Sequence, residues 1–247
     1  MSLSDLAETL RRGDPDRFDA ALAAPPAARP VLIPLYAFNL EVARAPWVAS
    51  EPLIAEMRLQ WWRDALAEIA EGRPVRGHEV ATPLAAAIAP DDARRLDALV
   101  AARRRDVESP PFADDADLAA YLDATAGHLL WTGARVLGSA TEDAVRAVAA
   151  ASGLANLFLA QPDLAARNRP AFAPDEADRI AALAKAALRR RRAARSDRAA
   201  RPALLSTWRA VPLLRRAAAD PSHVLEGRLA RSEFARRAGL LLAALRP

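Results

Sequence analysis

The sequence predicts an all-α bundle of about nine or ten helices, and three observations carry that prediction. Alanine, leucine and arginine dominate, with only nine glycines in 247 residues, a mixture of strong helix formers. Apolar residues recur at helical spacing, with no strand-like alternation and no repeat of 20–50 residues. Start and stop residues punctuate those segments at helix-length intervals. A chain of this length can bury a substantial core, and residues 1–247 read as a single domain.

Taken in order, a short helix is expected over Ser4–Arg12, stopped by Gly13, and a second starts at the Asp14-Pro15 cap and breaks at Pro25-Pro26. A buried helix follows over Arg29–Arg44, with Pro30 and Pro34 near its first turn. A turn at Ala45–Ala49 leads to Ser50, the expected cap of a long helix over Glu51–Glu71 that carries Pro52 in its first turn. Gly72–Gly77 reads as a loop and Pro83–Ile88 as a short helix. Asp91 is the expected cap of a helix to about Val107, ended by Ser109-Pro110-Pro111. Asp114–Leu137 is next, stopped by Gly138. Thr141–Ala160 is expected to end at Pro162, with a loop over Gln161–Pro174. Helices over Asp175–Arg195, Pro202–Ala218 and His223–Leu245 complete the chain.

Composition excludes several classes of function. There is no cysteine, so disulfides and thiolate chemistry are absent and a reducing compartment is expected. The start, MSLSDLAETLRRGD, has no apolar signal-type core. The longest uncharged run, Ala147 to Pro162, is shorter than the roughly 20 residues of a membrane span. A cytoplasmic protein is the expectation. The net charge of +4 conceals a segregation: residues 179–247 carry 17 Lys+Arg against 4 Asp+Glu, a net +13, leaving −9 for the remainder. The run Arg189–Arg192 with Arg195, Arg198 and Arg201 covers every helix face, which solvation at a helix end explains. The 189–216 segment would also suit an anionic membrane surface or an acidic partner, placing the protein peripherally at the inner membrane. Nucleic acid is not expected, because interleaved aromatics and a known binding module are both missing.

No conventional catalytic motif is present. His78, His128 and His223 are isolated and lack metal-ligand spacing; there is no GxSxG elbow, Walker loop or GxGxxG fingerprint. The acid pairs Asp91-Asp92 and Asp114-Asp115 sit at helix starts, where carboxylates favour the dipole. The informative stretch is Val31–Leu66. It sets Asn39, Glu41, Arg44, Arg58, Gln60 and Asp64 among large apolar residues, where unpaired polar groups cost about 1–3 kcal/mol each. Trp61 and Trp62 point about 100° apart on a helix. One is expected inside with Leu53 and Met57, the other against a neighbouring helix or in a pocket.

Tyr36-Ala37-Phe38, followed by Arg58-Leu59-Gln60-Trp61-Trp62, resembles the squalene/phytoene synthase family. The similarity extends through Asp106, Tyr121 with Ala126-Gly127, Val136-Leu137-Gly138, Gly153 and Arg169–Pro174. It is clearest over residues 20–175, with the basic helices 176–247 less distinctive. The resemblance implies the isoprenoid synthase-type helical bundle. Enzymes of that family join two prenyl diphosphates, and two aspartate-rich motifs on facing helices hold the Mg²⁺ that draws off the diphosphate.

This chain departs from both motifs. The resemblance places acids of the first at Ala43, Arg44 and Trp47, none of which can ligate a metal; Glu41 lies two positions early. In the second, LANLFLAQPDLAAR over residues 154–167, Asn156 and Asp163 persist without the needed spacing, and Pro162 is expected to break the helix. The form of the departure looks most like the non-catalytic branch that includes the mitochondrial respiratory complex I assembly factor. The resemblance thus implies an inactive assembly or scaffolding protein, with a respiratory complex subunit or assembly intermediate as partner and no cofactor. An active prenyl transferase using displaced acids and Mg²⁺, and a non-catalytic isoprenoid or lipid carrier, are the alternatives. Asn39, Glu41, Arg58, Trp62, Asp106, Tyr121 and His128 are the candidates for a remodelled pocket, with Trp47, Trp131 and Phe158 as residues able to fill it.

Overall fold

The computed structural model describes residues 3–48, 51–108 and 110–245, which contain helices and turns and no strand. Helices α1 (Leu3–Gly13) and α2 (Pro15–Ala23) meet at Asp14, whose carboxylate accepts the Arg17 N–H at 3.0 Å. Pro25 and Pro26 end α2 through a 3-10 turn, and α3 (Arg29–Val48) follows as the most buried helix of the first half. The expected end at Arg44 is corrected: α3 continues through Pro46. Ala45 and Pro46 are themselves buried, so packing outweighs the roughly 3 kcal/mol that an interior proline costs a helix. The cap expected at Ser50 lies outside the described residues.

Helix α4 (Pro52–Ala70) buries Ala55, Leu59, Trp62, Leu66 and Ile69, a stripe of helical period. Two expectations fail here. Arg58, Gln60 and Asp64 are exposed rather than set into an apolar face, and Leu53 and Met57 are exposed as well, 67% and 63%. Trp62 instead stands edge-on to Phe38 at 5.1 Å, while Trp61 packs on His78 at 4.6 Å beneath the Arg76 guanidinium.

After α5 (Ala81–Ala87), α6 (Pro90–Arg103) starts without the expected Asp91 cap. Asp92, three residues into the helix and fully buried, reaches back to accept the Ala89 N–H at 3.1 Å. It also receives Arg95 at 3.0 Å and Arg135 at 2.7 and 2.5 Å, joining α6 to the later helix α9. A single-turn α7 (Arg105–Glu108) follows; Ser109 lies outside the described residues. Asp114 caps α8 (Asp115–Leu122) as expected, accepting the Ala116 and Asp117 N–H groups at 2.8 Å. A π-turn over Asp123–Gly127 joins α8 to α9 (His128–Val136), and Gly138, at φ 97°, provides the left-handed stop.

Helix α10 (Glu142–Ala166) overturns the break expected at Pro162: it runs one turn beyond the proline. Its end is set by Asn168, at φ 58°, whose N–H bonds Ala165 while the Arg169 N–H bonds Leu164 at 2.9 Å. This is the paired-bond C-terminal motif that an asparagine in the left-handed region permits. The following segment is no free loop. Gln161, 3% exposed, donates to the Phe172 carbonyl at 2.7 Å and accepts the Ala171 and Phe172 N–H groups at 2.9 and 3.1 Å. Phe172 is thereby pinned against Phe158, 5.4 Å between rings.

The last third divides more finely than expected: α11 (Ala177–Ala193), α12 (Arg201–Leu204), α13 (Ala210–Ala219), α14 (Ser222–Leu225) and α15 (Glu233–Leu245). One buried cluster unites α1–α6, α9 and the start of α10; a second unites α8, the middle of α10, α11, α13 and α14. Among the described residues α10 alone is long and apolar enough to cross a membrane, yet it packs against α9, α11 and α13.

Gln161→Ala should lower stability by about 3 kcal/mol, because three backbone groups lose their partner and two of the bonds lie in the core. Urea unfolding of both proteins measures it, and a loss within 0.5 kcal/mol would show that the segment is held by other contacts.

Candidate ligand cavity

Between the two clusters lies a cavity of about 260 Å³. Helix α3 presents Asn39, Ala43 and Trp47 to it, spaced i, i+4, i+8 on one face. Helix α10 forms the facing wall with Gly153, Asn156, Ala160 and Leu164. A side chain at 153 would place its Cβ 2.8 Å from Ala126 Cβ, so glycine there lets α10 approach the π-turn that brings Thr125 and Ala126 to the lining. The remaining sides come from the α6–α7 junction, from Tyr121 on α8, and from Arg169–Ala171, the segment held by Gln161.

The polar side of the cavity is a closed triad. Tyr121 Oη donates to Asp106 at 2.7 Å and accepts from Arg103 at 2.8 Å, while Arg103 also donates to Asp106 at 2.9 Å. Burial pushes the Tyr121 hydroxyl well above its usual range, and the phenol stays protonated as a donor. Burial opposes the charge of Arg103, but Tyr121 and Asp106 outweigh it and hold the guanidinium ionised. Arg105 is engaged by Asp117 and by the Pro110 and Pro111 carbonyls, over the ring of Phe112. Arg17 is paired with Asp14 and lies 5.9 Å from the Tyr36 ring centre. Arg169, half-buried, and Asn39, 4% exposed, make no hydrogen bond or ion pair among the described residues.

Of the residues singled out in the sequence, Asn39, Ala43, Trp47, Asp106, Tyr121 and Asn156 meet in this one cavity. Arg44 is exposed and absent from its lining, one residue and about 100° from Ala43. Glu41, Arg58 and Trp62 line a separate surface groove with Met57 and His78, since Glu41 is two residues, or about 200°, from Asn39. Asp163 is exposed past Pro162, and His128 lies outside the lining. Trp131 and Phe158 belong to the two core clusters and do not fill the cavity; Trp47 does enter it, beneath the Arg167 guanidinium at 5.4 Å. Sequence reasoning missed Arg17, Arg103, Arg105 and Arg169. The arginine-rich composition masked them, although Arg169 falls within the segment that carries the family resemblance.

A Mg²⁺-diphosphate centre requires several carboxylate oxygens facing one another. Among the described lining residues Asp106 is the one carboxylate, already engaged by Tyr121 and Arg103, against four arginines. No group of three or more His, Cys, Asp or Glu placed to hold a metal occurs among the described residues. The residues present do not fit such a centre.

An all-helical bundle with a cavity between α3 and α10 defines the class of protein. The sequence matches squalene/phytoene synthase over residues 10–176, and the chain belongs to that family. Among solved structures it is similar to a dehydrosqualene synthase crystallised with a ligand, with a TM-score of 0.78 over 98% of this chain and 94% of that one at 13% identity; that likeness establishes the isoprenoid synthase-type fold. No curated protein sequence matches the chain.

His128 supplies a pH test of this region. Burial, with Arg146 and Arg95 nearby, lowers its pKa, and its Nδ1 is buried without a partner. The folded protein therefore binds this proton more weakly than the unfolded chain, whose imidazole titrates near 6.5, and stability falls as pH drops below about 6.5. Melting curves between pH 8 and 5 should show a smaller decline for His128→Leu than for the native protein; parallel declines would place the titration elsewhere.

Proposed function

We propose that this chain is a catalytically inactive member of the squalene/phytoene synthase family, acting as an assembly or scaffolding factor, with respiratory complex I as the assembly. The observation that carries the first half is the sign of the cavity. Ala43 and Trp47 stand where the family resemblance places acids, and the lining offers four arginines and a single, engaged aspartate. Diphosphate departure demands Mg²⁺ between carboxylates and phosphate oxygens, and fixed guanidinium groups repel that cation.

The complex I assignment rests on Ala37–Glu41 together with Met57–Trp62, which resemble the non-catalytic branch in order and spacing. The exposed arginines near the end of α11, Arg189, Arg190 and Arg192, suit attachment to an anionic membrane surface where such an assembly is built. On this reading the protein works in the cytoplasm, peripheral at the inner membrane.

Two measurements test the proposal. Purified protein given prenyl diphosphates should release no pyrophosphate with or without Mg²⁺; Mg²⁺-dependent release would establish the transferase alternative. A deletion strain should lose complex I activity and accumulate partial assemblies on native gels, and normal complex I in that strain would overturn the assembly role.

A further inference from the structure

We infer that α15 is an interfacial helix whose outward face enters the surface of an anionic membrane, beside the arginine segment 189–198. This rests on the membrane reading of that segment given above and supplies its apolar half.

The residues of α15 divide by helical rotation. Phe234, Ala238, Leu241, Leu242 and Leu245 fall within a sector of about 100°. Phe234, Leu241, Leu242 and Leu245 are 84%, 60%, 60% and 71% exposed. The opposite face docks on the bundle. Arg236 bridges Asp16 at 2.6 Å and Asp19 at 3.1 Å on α2, and Gly239 lies against the Trp208 ring, where a Cβ would come within 3.0 Å. Leu240 and Ala243 pack on the first buried cluster. The helix is thus fixed on one side, leaves an apolar stripe on the other, and buries none of its residues fully. Leu22 of α2, 42% exposed, widens the stripe across a shallow groove that it lines with Leu241. A continuous stripe of this kind differs from the single exposed apolar residues normal on a soluble surface.

Charge selects the occupant. Arg201 donates to the Ala244 carbonyl at 3.1 Å, which sets the last turn of α15 against the chain that leaves the arginine segment. Arg189, Arg190, Arg192, Arg195 and Arg198 are exposed and make no ion pair among the described residues. Exposed arginines on α1 are instead held by an acid, Arg11 and Arg12 both by Glu8 at 2.6 and 2.7 Å. An apolar stripe flanked by uncompensated guanidinium charge matches acyl chains beneath anionic headgroups. A second copy fits poorly, because a two-fold contact presents the same patch from both sides and would bring two arginine segments together. Nor does α15 cross the bilayer: its 13 residues fall short of the roughly 20 that a span needs, so it lies in the plane of the surface. The other exposed apolar group, Leu53, Ile54 and Met57 on α4, stands among charges of both signs, Glu51, Glu56 and Arg58, with Glu56 paired to Arg104 at 2.9 Å. It lacks the positive flank and serves as the control.

The chain has no cysteine, so one introduced thiol carries a single polarity-sensitive fluorophore. The full-length protein is labelled at Leu241→Cys or at Met57→Cys and mixed with phosphatidylcholine vesicles, with and without phosphatidylglycerol. The label at 241 is expected to shift to the blue and brighten on the phosphatidylglycerol vesicles, and the label at 57 to stay unchanged. In flotation, unlabelled protein should bind those vesicles about tenfold more tightly than neutral ones. The preference should vanish in about 1 M NaCl, where the screening length falls to about 3 Å. Leu241→Gln with Leu242→Gln, and separately Arg190→Gln with Arg192→Gln, should each weaken binding about tenfold with an unchanged melting temperature, since all these side chains are exposed. Binding with the 241 label still in water, or binding undiminished by the leucine pair, overturns the role of α15 and leaves the arginine attachment standing. No binding to either vesicle overturns both and leaves the segment to an acidic protein partner. Dimers in vesicle-free buffer with the 241 label already shielded assign the face to a second copy and overturn the inference as well.

Discussion

The Gln161 amide, buried one residue before a proline, fixes how the far wall of the cavity is built. A proline at 162 deprives α10 of one backbone bond and would ordinarily free the chain to leave. The Gln161 side chain binds the returning segment at Ala171 and Phe172 instead. Phe172 then closes on Phe158 within the second core cluster. Because the chain comes back, α10 keeps its last turn and Asn156, Ala160 and Leu164 remain on the wall. The same bonds carry Arg169 to the cavity. One neutral side chain thus couples core packing to the charge of the site.

That charge decides what the site can do. In a confined, largely apolar space, fixed guanidinium groups act across a lower effective dielectric than in water. Their neutralisation by protonation change is closed off, since arginine keeps its proton at any ordinary pH. Asp106 cannot offset four arginines, and its oxygens already accept from Tyr121 and Arg103. The pairs of Arg17 with Asp14 and of Arg105 with Asp117 lower the net field but leave Arg169 uncompensated. A cation such as Mg²⁺ meets repulsion in this arrangement, whereas an anion meets donors. The positive charge is distributed over α2, the α6–α7 junction and the segment after α10, so no single substitution creates a metal site.

The sequence made the helical class legible because its signals were redundant: composition, periodicity and caps such as Asp14 and Asp114 agreed. It misled where a local rule met tertiary packing. Ala45–Ala49 read as a turn and Pro162 as a terminator, yet Pro46 and Pro162 both lie inside helices, each just after a buried residue, Ala45 and Gln161. The true stop of α10 was visible as Asn168 two residues before Pro170, a signal outranked by the nearer proline. At the site, Asn39, Ala43 and Trp47 could be grouped from their four-residue spacing, while Glu41, Arg44 and Arg58 were drawn in by the family resemblance and by their apolar neighbours in sequence. Helical rotation separates them, and three of the expected polar positions on α4 simply face solvent. The lining arginines come from elements distant in sequence, and only the fold brings them together.

The separation of core from cavity explains why the fold does not depend on a metal site. Both buried clusters are built almost wholly of apolar side chains, and the buried ion-pair junction at Asp92 lies outside the cavity lining. None of these contacts needs a carboxylate at positions 43, 44 or 47. Acids clustered for metal binding repel one another when the metal is absent, a cost that alanine at 43 and tryptophan at 47 do not carry. Trp47 adds packing area and a guanidinium contact to Arg167. What Ala43 and Trp47 do not supply is a protein partner for Asn39, whose amide faces the cavity and is left to the solvent there.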